Sequence, residues 1–173
     1  MSTTVLKDMN IGDLDRIVEI DRTEYVDAFY RQTGTEIVLD PIEPFTGGWW
    51  PDVETTIAFC RGHMRRDARA IGAFDGQALI GIVMVTPDIA PAMAQLAFLH
   101  VTATWRRKGV ATLLFDAAKA EARRGGHTAF YVTATPTRSA VGFYRRNGFA
   151  PTDRVIPELF ALEPEDIHMV MAL

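Results

Sequence analysis

Apolar positions along the chain change period several times, and each change marks an element. Val110, Leu113, Leu114, Ala117 and Ala118 recur at i, i+3, i+4, i+7 and i+8, the spacing of one buried helical face. Arg123 and Arg124, followed by Gly125 and Gly126, read as a cationic last turn and a glycine stop. Near the start, 3–7 reads as a strand. Asn10 then reads as an N-cap with Asp13 at N3, and Ile11, Leu14, Ile17 and Val18 form the buried face of a first helix. Asp52 is the next cap, with Val53, Ile57, Cys60 and Met64 along one face of a second helix. The runs 70–74 and 77–86 flank Asp75-Gly76, a strong hairpin signal, and Gly81 inside the second run predicts a bulge. The runs 94–101 and 128–134 are apolar on both faces, as in buried strands. With a helix between them they predict a parallel pair joined by a crossover. Thr135-Pro136-Thr137 opens a short helix that Asn147-Gly148 closes, and 167–173 is a last strand. From 25 to 51 the periodicity dissolves among Gly34, Pro41, Pro44, Gly47 and Gly48. That stretch is predicted as an irregular connection, long enough to serve as a lid or binding loop.

Composition narrows the class. With 173 residues, 48% hydrophobic and 23% charged, the chain holds enough apolar surface for the core of one α/β domain on a mixed sheet. A net charge of −4 argues against nucleic acid as the main partner. One cysteine, Cys60, leaves no intrachain disulfide and suits a reducing cytoplasm. No apolar run approaches the ~20 residues of a membrane span, and Met1-Ser2-Thr3-Thr4 lacks signal-peptide features. The expected location is therefore cytoplasmic, with no membrane partner.

The net charge hides one local feature. Arg106, Arg107 and Lys108 stand immediately before Gly109-Val110-Ala111, where the longest periodic helix begins. A helix start is already positive, because its first N–H groups are unpaired and the peptide dipoles add there. Three more cations are unfavourable there unless an anion lies among them, and a phosphate or pyrophosphate meets that need.

A strand, then R-x-x-G-x-A opening a helix, then a strand, then a short helix carrying A-x-x-F-Y and ending N-G-F, resembles the GNAT superfamily of N-acetyltransferases. The residues are Leu99-His100-Val101, Arg106 to Ala111, and Ala140 to Phe149. The resemblance covers about 70–150 in detail and the first 65 residues only in layout. It implies an α/β (α+β) fold whose central sheet is mixed and mostly antiparallel, with a splayed parallel pair and flanking helices. It also implies one acetyltransferase domain over 1–173. Acceptor-side helices and loop would occupy 1–66, the acetyl-CoA-binding core 67–150, and C-terminal strands 151–173. Acetyl-CoA is the implied co-substrate and an amine the acceptor, with no metal. The backbone at Leu99 and Val101 would pair with the pantetheine amides. Arg106 leads the turn, and the N–H groups of Arg107, Lys108, Gly109, Val110, Ala111 and Thr112 would cradle the pyrophosphate. Gly109 lets the backbone approach the phosphate. Thr137 stands where relatives often hold the cofactor with asparagine. Tyr144 matches the family's frequent general acid for the departing thiolate. Dimers are common in the family, which makes a homodimer a further expectation.

Acetyl transfer needs a neutral amine, so a base or water chain must take a proton. Relatives often use a glutamate on the strand equivalent to 94–101, and this chain has none there. His100 has a suitable intrinsic pKa but points opposite to Leu99 and Val101. The acids Asp21, Glu24, Asp27, Glu36 and Glu43 lie upstream, and Glu24 follows helix one, where relatives often build the acceptor site. Cys60 sits on a buried helical face, so direct transfer without an acetyl-enzyme is expected. Aromatic residues and acids between 25 and 50 suit a cationic amine, either a small basic or aromatic molecule or a protein amine. Trp49 and Trp50 either line that site or cover the core. The missing strand glutamate and Thr137 also leave an alternative, a non-catalytic acyl-CoA-binding or regulatory module on the same fold.

Overall fold

A computed structural model of the chain describes residues 4–48 and 52–173. Strand β1 (Thr4–Met9) leads into a 3-10 helix over Ile11–Glu19, and strands β2 (Glu24–Thr33) and β3 (Glu36–Gly47) follow. Helix α1 (Val53–Met64) precedes β4 (Arg69–Asp75), β5 (Ala78–Ala90) and β6 (Met93–Val101). Helix α2 (Val110–Arg124), β7 (Ala129–Ala134) and α3 (Arg138–Arg146) come next. The chain closes with β8 (Ala150–Pro151), α4 (Pro157–Leu162) and β9 (Ile167–Ala172).

Seven strands form one sheet in the order β1-β4-β5-β6-β7-β9-β8, and β2 and β3 form a separate pair. Every pairing in the large sheet is antiparallel except β6 with β7. The periodic face of α2 covers one side through Val110, Leu114, Phe115 and Ala118, over Val83, Leu96 and Val132. The 3-10 helix and α1 cover the other through Leu14, Ile17, Ile57 and Cys60, against Ile82, Met84 and Phe98. The mixed sheet, the central place of 94–101 and the crossover thus match the sequence expectations.

Four expectations change. The first helix is 3-10, with three residues per turn, so Leu14 and Ile17 are buried while Val18 is 61% exposed. In α2, Leu113 is 40% exposed, because the buried face runs through Phe115 and Ala122 instead. The hairpin after β4 turns on Gly76-Gln77, with Asp75 paired to Ala78 and φ of Gly76 at +59°. Most important for the site, the stretch read as irregular is the hairpin β2–β3. Its strands pair from Glu24↔Gly47 to Thr33↔Glu36, with one irregularity between Val26 and Ala28. Gly34 at φ +62° makes the two-residue turn with Thr35. Pro41 and Pro44 are tolerated because β3 is an edge strand. Trp49 and Trp50, read as site or core cover, lie outside the described residues, as does Thr3.

The parallel pair is short. β6 meets β7 only at Met93↔Ala129, Ala94↔Phe130 and Gln95↔Tyr131, although both strands continue. Against β5, Met84 faces Phe98 while Val85 faces Leu96, so Ala97 is an extra residue in β6. That bulge lies just past the last parallel pair, where β6 parts from β7.

Candidate active site

The parting exposes the backbone of β6. Thr102 N donates to the Ile80 carbonyl at 2.9 Å, with Val101 opposite Gly81 and Leu99 opposite Val83. In an antiparallel ladder successive residues alternate between facing the partner strand and facing away. The amides and carbonyls of Leu99 and Val101 therefore point away from β5, into the gap beside β7. Arg106 confirms the direction, since its Nε donates to the Val101 carbonyl at 3.1 Å. Its Nη1 donates to the Thr23 carbonyl at 2.7 Å. The Arg106 guanidinium is thus engaged with backbone oxygens, tying the end of β6 to the segment before β2. Ala103 N to Asp21 O at 2.8 Å and Asp21 N to Thr102 Oγ1 at 3.0 Å complete the tie.

Beyond that tie the turn is built to present N–H groups. Arg107 and Gly109 both take left-handed φ, +58° and +85°. Gly109 is the cap of α2 and offers no side chain, so the N–H groups of Val110, Ala111 and Thr112 have no intrahelical acceptor. The first bond of the helix is Leu113 N to Gly109 O at 3.0 Å. By contrast, Asn10, Asp52 and Thr137 each cap their own helices with a side-chain oxygen. A Cβ at Gly109 would meet nothing within 4 Å, so the protein requires glycine there for its φ, and the space in front stays open. Arg107 and Lys108 are exposed beside it, with Lys108 Nζ 5.0 Å above the Trp105 ring.

Tyr144 is 7% exposed on α3, edge-on to Phe143 and Phe149 at 5.5 and 5.3 Å between ring centroids. Burial, then the charges of Asp166 and Glu163, push its phenol pKa up, so it holds its proton. Thr137 is buried, and its Oγ1 accepts from Ala140 N at 3.3 Å, so the hydroxyl caps α3. Glu24 stands at the start of β2 and accepts a hydrogen bond from Ser139 Oγ in the first turn of α3. His100 lies 4.4 Å from the Phe98 ring and beside a small pocket that Arg22, Glu24 and Arg106 also line. Burial, with Arg22 and Arg106 adding to it, lowers its pKa to about 3, so it is neutral and a poor proton acceptor at pH 7. Cys60 is fully buried and burial raises its thiol pKa to about 12, which removes the thiolate a nucleophile needs.

The hairpin closes a cavity of about 440 Å³ against the segment between β8 and β9. Phe29, Tyr30 and Asp40 line it from the hairpin, and Asp153, Phe160 and Asp166 from the opposite wall. Gln32 holds the walls together: Nε2 donates to Thr152 O at 2.9 Å, and Oε1 accepts from His168 N at 2.8 Å. Sequence reasoning missed this wall altogether. Glu163-Pro164-Glu165-Asp166 is a turn closed by Asp166 N to Glu163 O at 3.2 Å, and it brings Glu163 near enough for its charge to act on Asp166. Burial and the Glu163 charge raise the Asp166 pKa to about 7. Proline after Glu163 signals the turn in the sequence, but nothing local to it signals burial.

Sequence comparison decides the family. The profile of the acetyltransferase (GNAT) family matches residues 17–149, most of the chain. The chain belongs to this family. No curated protein sequence matches it. As a GNAT acetyltransferase it is a transferase, and acetyl-CoA is its co-substrate. Among solved structures, nourseothricin acetyltransferase superposes with a TM-score of 0.73 at 21% identity, over 98% of each chain. A Bacillus anthracis str. Ames protein assigned as a streptothricin acetyltransferase, in complex with acetyl coenzyme A, gives 0.71 at 17% over 99% of each. The PaiA N-acetyltransferase of Thermoplasma acidophilum, in complex with coenzyme A, gives 0.66 at 16% over 99% of each. At these identities the likeness is one of fold. In GNAT terms, the described residues bring together an opened strand, an uncapped helix start and a buried tyrosine. No helix among them is long and apolar enough to cross a membrane.

Proposed function

We propose that this GNAT protein is an N-acetyltransferase that moves the acetyl group of acetyl-CoA directly to a cationic amine. One observation carries the reading. The outward-facing backbone of Leu99 and Val101 and the free N–H groups of Val110, Ala111 and Thr112 border the same opening, joined by eight residues. An extended chain of amides ending in a pyrophosphate fits that pair of features, with the amides completing β6 as a strand would and the pyrophosphate at the helix start. Arg106 holds the two features in register. Arg107 and Lys108 add charge, and Thr137 fixes the start of α3, which carries Tyr144.

Tyr144 is the proton donor to the departing thiolate in this reading, and its raised pKa keeps the donor protonated. The acceptor enters the cavity between the hairpin and the C-terminal wall, where Phe29 and Tyr30 supply aromatic rings and Asp153 supplies charge to an ammonium group. The test is release of CoA thiol from acetyl-CoA across a series of amines: spermidine, L-lysine, an aromatic amine and nourseothricin, the last prompted by the nourseothricin acetyltransferase that shares the fold. Acetylation of the cationic members supports the reading. CoA binding with no transfer to any amine contradicts it.

A further inference from the structure

We infer that Asp166 is the proton acceptor for the incoming amine, with Glu163 as its positioning residue, a role that rests on the N-acetyltransferase reading above. Asp166 lines the cavity from the turn before β9, across from the hairpin. Glu163, in the same turn, accepts from Thr133 Oγ1 at 2.5 Å, which anchors the turn to β7. Thr133 lies two residues past the last pair that β7 makes with β6. The turn is therefore tied to the lip of the opening that takes the acetyl donor.

Other groups face Asp166 from each element around it. Glu163 and Glu165 share its turn, and Tyr144 senses its charge from α3. Across the cavity Arg31 is committed to Asp40 at 2.9 Å, and Asp153 stands on the same wall as Asp166. His168 also lines the cavity. It is 2% exposed, and its Nδ1 is 2.7 Å from the Tyr131 hydroxyl. Burial lowers its pKa, partly offset by the Glu163 carbonyl, so the ring is neutral and does not compensate the acids. Two carboxyls that repel each other, one of them in the cavity wall, are what a bound ammonium group would relieve. Burial and then the Glu163 charge hold the Asp166 carboxyl well above the usual carboxylate range, at about 7.

The step balances. An ammonium R–NH3+ in the cavity gives one proton to the Asp166 carboxylate. The free amine attacks the thioester carbon, forming C–N as C–S breaks. Tyr144 protonates the leaving thiolate and is reprotonated, through water, by the second proton lost from nitrogen. Asp166 then releases its proton to solvent, so acetyl-CoA and R–NH3+ give the amide, CoA–SH and one H+.

The test is the pH dependence of kcat/KM for spermidine and nourseothricin, read by thiol release, in wild type, Asp166→Asn, Glu163→Gln and Glu24→Gln. Wild type should show an acidic limb near pH 7, well below the amine's own pKa. Asp166→Asn should lose that limb and roughly 10²–10⁴-fold in rate, the range typical of general-base loss. Glu163→Gln should move the limb to lower pH, because the repelling charge is gone; a residue that only braces the turn would lower the rate without moving it. Melting at pH 8 should show Asp166→Asn at least as stable as wild type, since a buried charge has been removed. If that variant does not fold, the Glu163→Gln shift still decides. A limb that follows the amine's pKa, or one that disappears in Glu24→Gln and stays in Asp166→Asn, overturns the inference. Wild type that transfers to no amine overturns the N-acetyltransferase reading and takes this inference with it.

Discussion

At the scale of single residues, the proposed donor half of the site rests on two positions. Tyr144 keeps its proton because it is buried near two carboxyls. Replacing it with phenylalanine removes the hydroxyl and keeps the ring contacts with Phe143 and Phe149, so turnover should fall roughly 10²–10⁴-fold with little change in acetyl-CoA affinity. Unaltered turnover with a good acceptor would remove Tyr144 from the chemistry. Gly109 differs: an alanine there clashes with nothing but must hold φ +85°. The left-handed conformation costs an L-residue about 1–2 kcal/mol, so in Gly109→Ala the free turn should relax from that φ, and restoring it on binding should weaken CoA affinity roughly 5–30-fold by calorimetry. Both residues were legible in the sequence because their signals are local, one in a turn before a periodic helix, the other in a helix ending at Asn147-Gly148. The Thr137 cap was equally local. Asp166 was not legible, because its environment depends on α3 and β7, more than 20 and 30 residues away.

At the scale of elements, sequence periodicity located α1, α2, α3 and the strands β4 to β7, whose faces alternate or repeat against a single core. It failed for the β2–β3 hairpin. That pair lies outside the large sheet and packs by its own register, so its strands lack the clean alternation of a half-buried surface. Its prolines, which would exclude a central strand, sit on an edge. The hairpin docks through hydrogen bonds that include Tyr30 N to Pro136 O at 2.7 Å and the Gln32 contacts to Thr152 and His168. Gln32→Ala leaves a His168 N–H without its partner and should cost about 1–3 kcal/mol locally. The expected kinetic signature is a raised KM for the amine with an unchanged dissociation constant for acetyl-CoA. Equal losses in both would mean that the hairpin supports the fold as a whole and not the acceptor side.

For the whole molecule, buried titratable groups set opposing responses to acid. His63 is lowered to about 4 by burial and Arg66, and His100 to about 3 by burial with Arg22 and Arg106. Both have folded pKa values below their unfolded ones, so their contribution is intact above about pH 6.5 and is lost as pH falls toward 3. Asp166, raised to about 7, works the other way: its burial penalty is relieved as pH falls from 7 toward the unfolded carboxylate range. Melting temperature should therefore fall more steeply between pH 7 and 5 in Asp166→Asn than in wild type, as followed by circular dichroism. Identical slopes would show that Asp166 ionises normally. The same counting explains why a site needing both strand backbone and a buried acid is only half visible in sequence. The cationic turn Arg106–Lys108 announced an anion, whereas the opposite wall depends on a chain reversal at Pro164 that brings Asp166 to the hairpin.

The central claim is that the β6–β7 opening and the α2 start together hold acetyl-CoA with its sulfur between Tyr144 and Asp166. A crystal structure of the protein with CoA tests it most directly. The pantetheine amides should hydrogen-bond the backbone of Leu99 and Val101, the pyrophosphate should accept from Val110, Ala111 and Thr112, and the sulfur should lie within hydrogen-bond reach of the Tyr144 hydroxyl with the cavity beyond it. CoA bound away from the β6–β7 gap, or with its sulfur turned from Tyr144, would contradict the account.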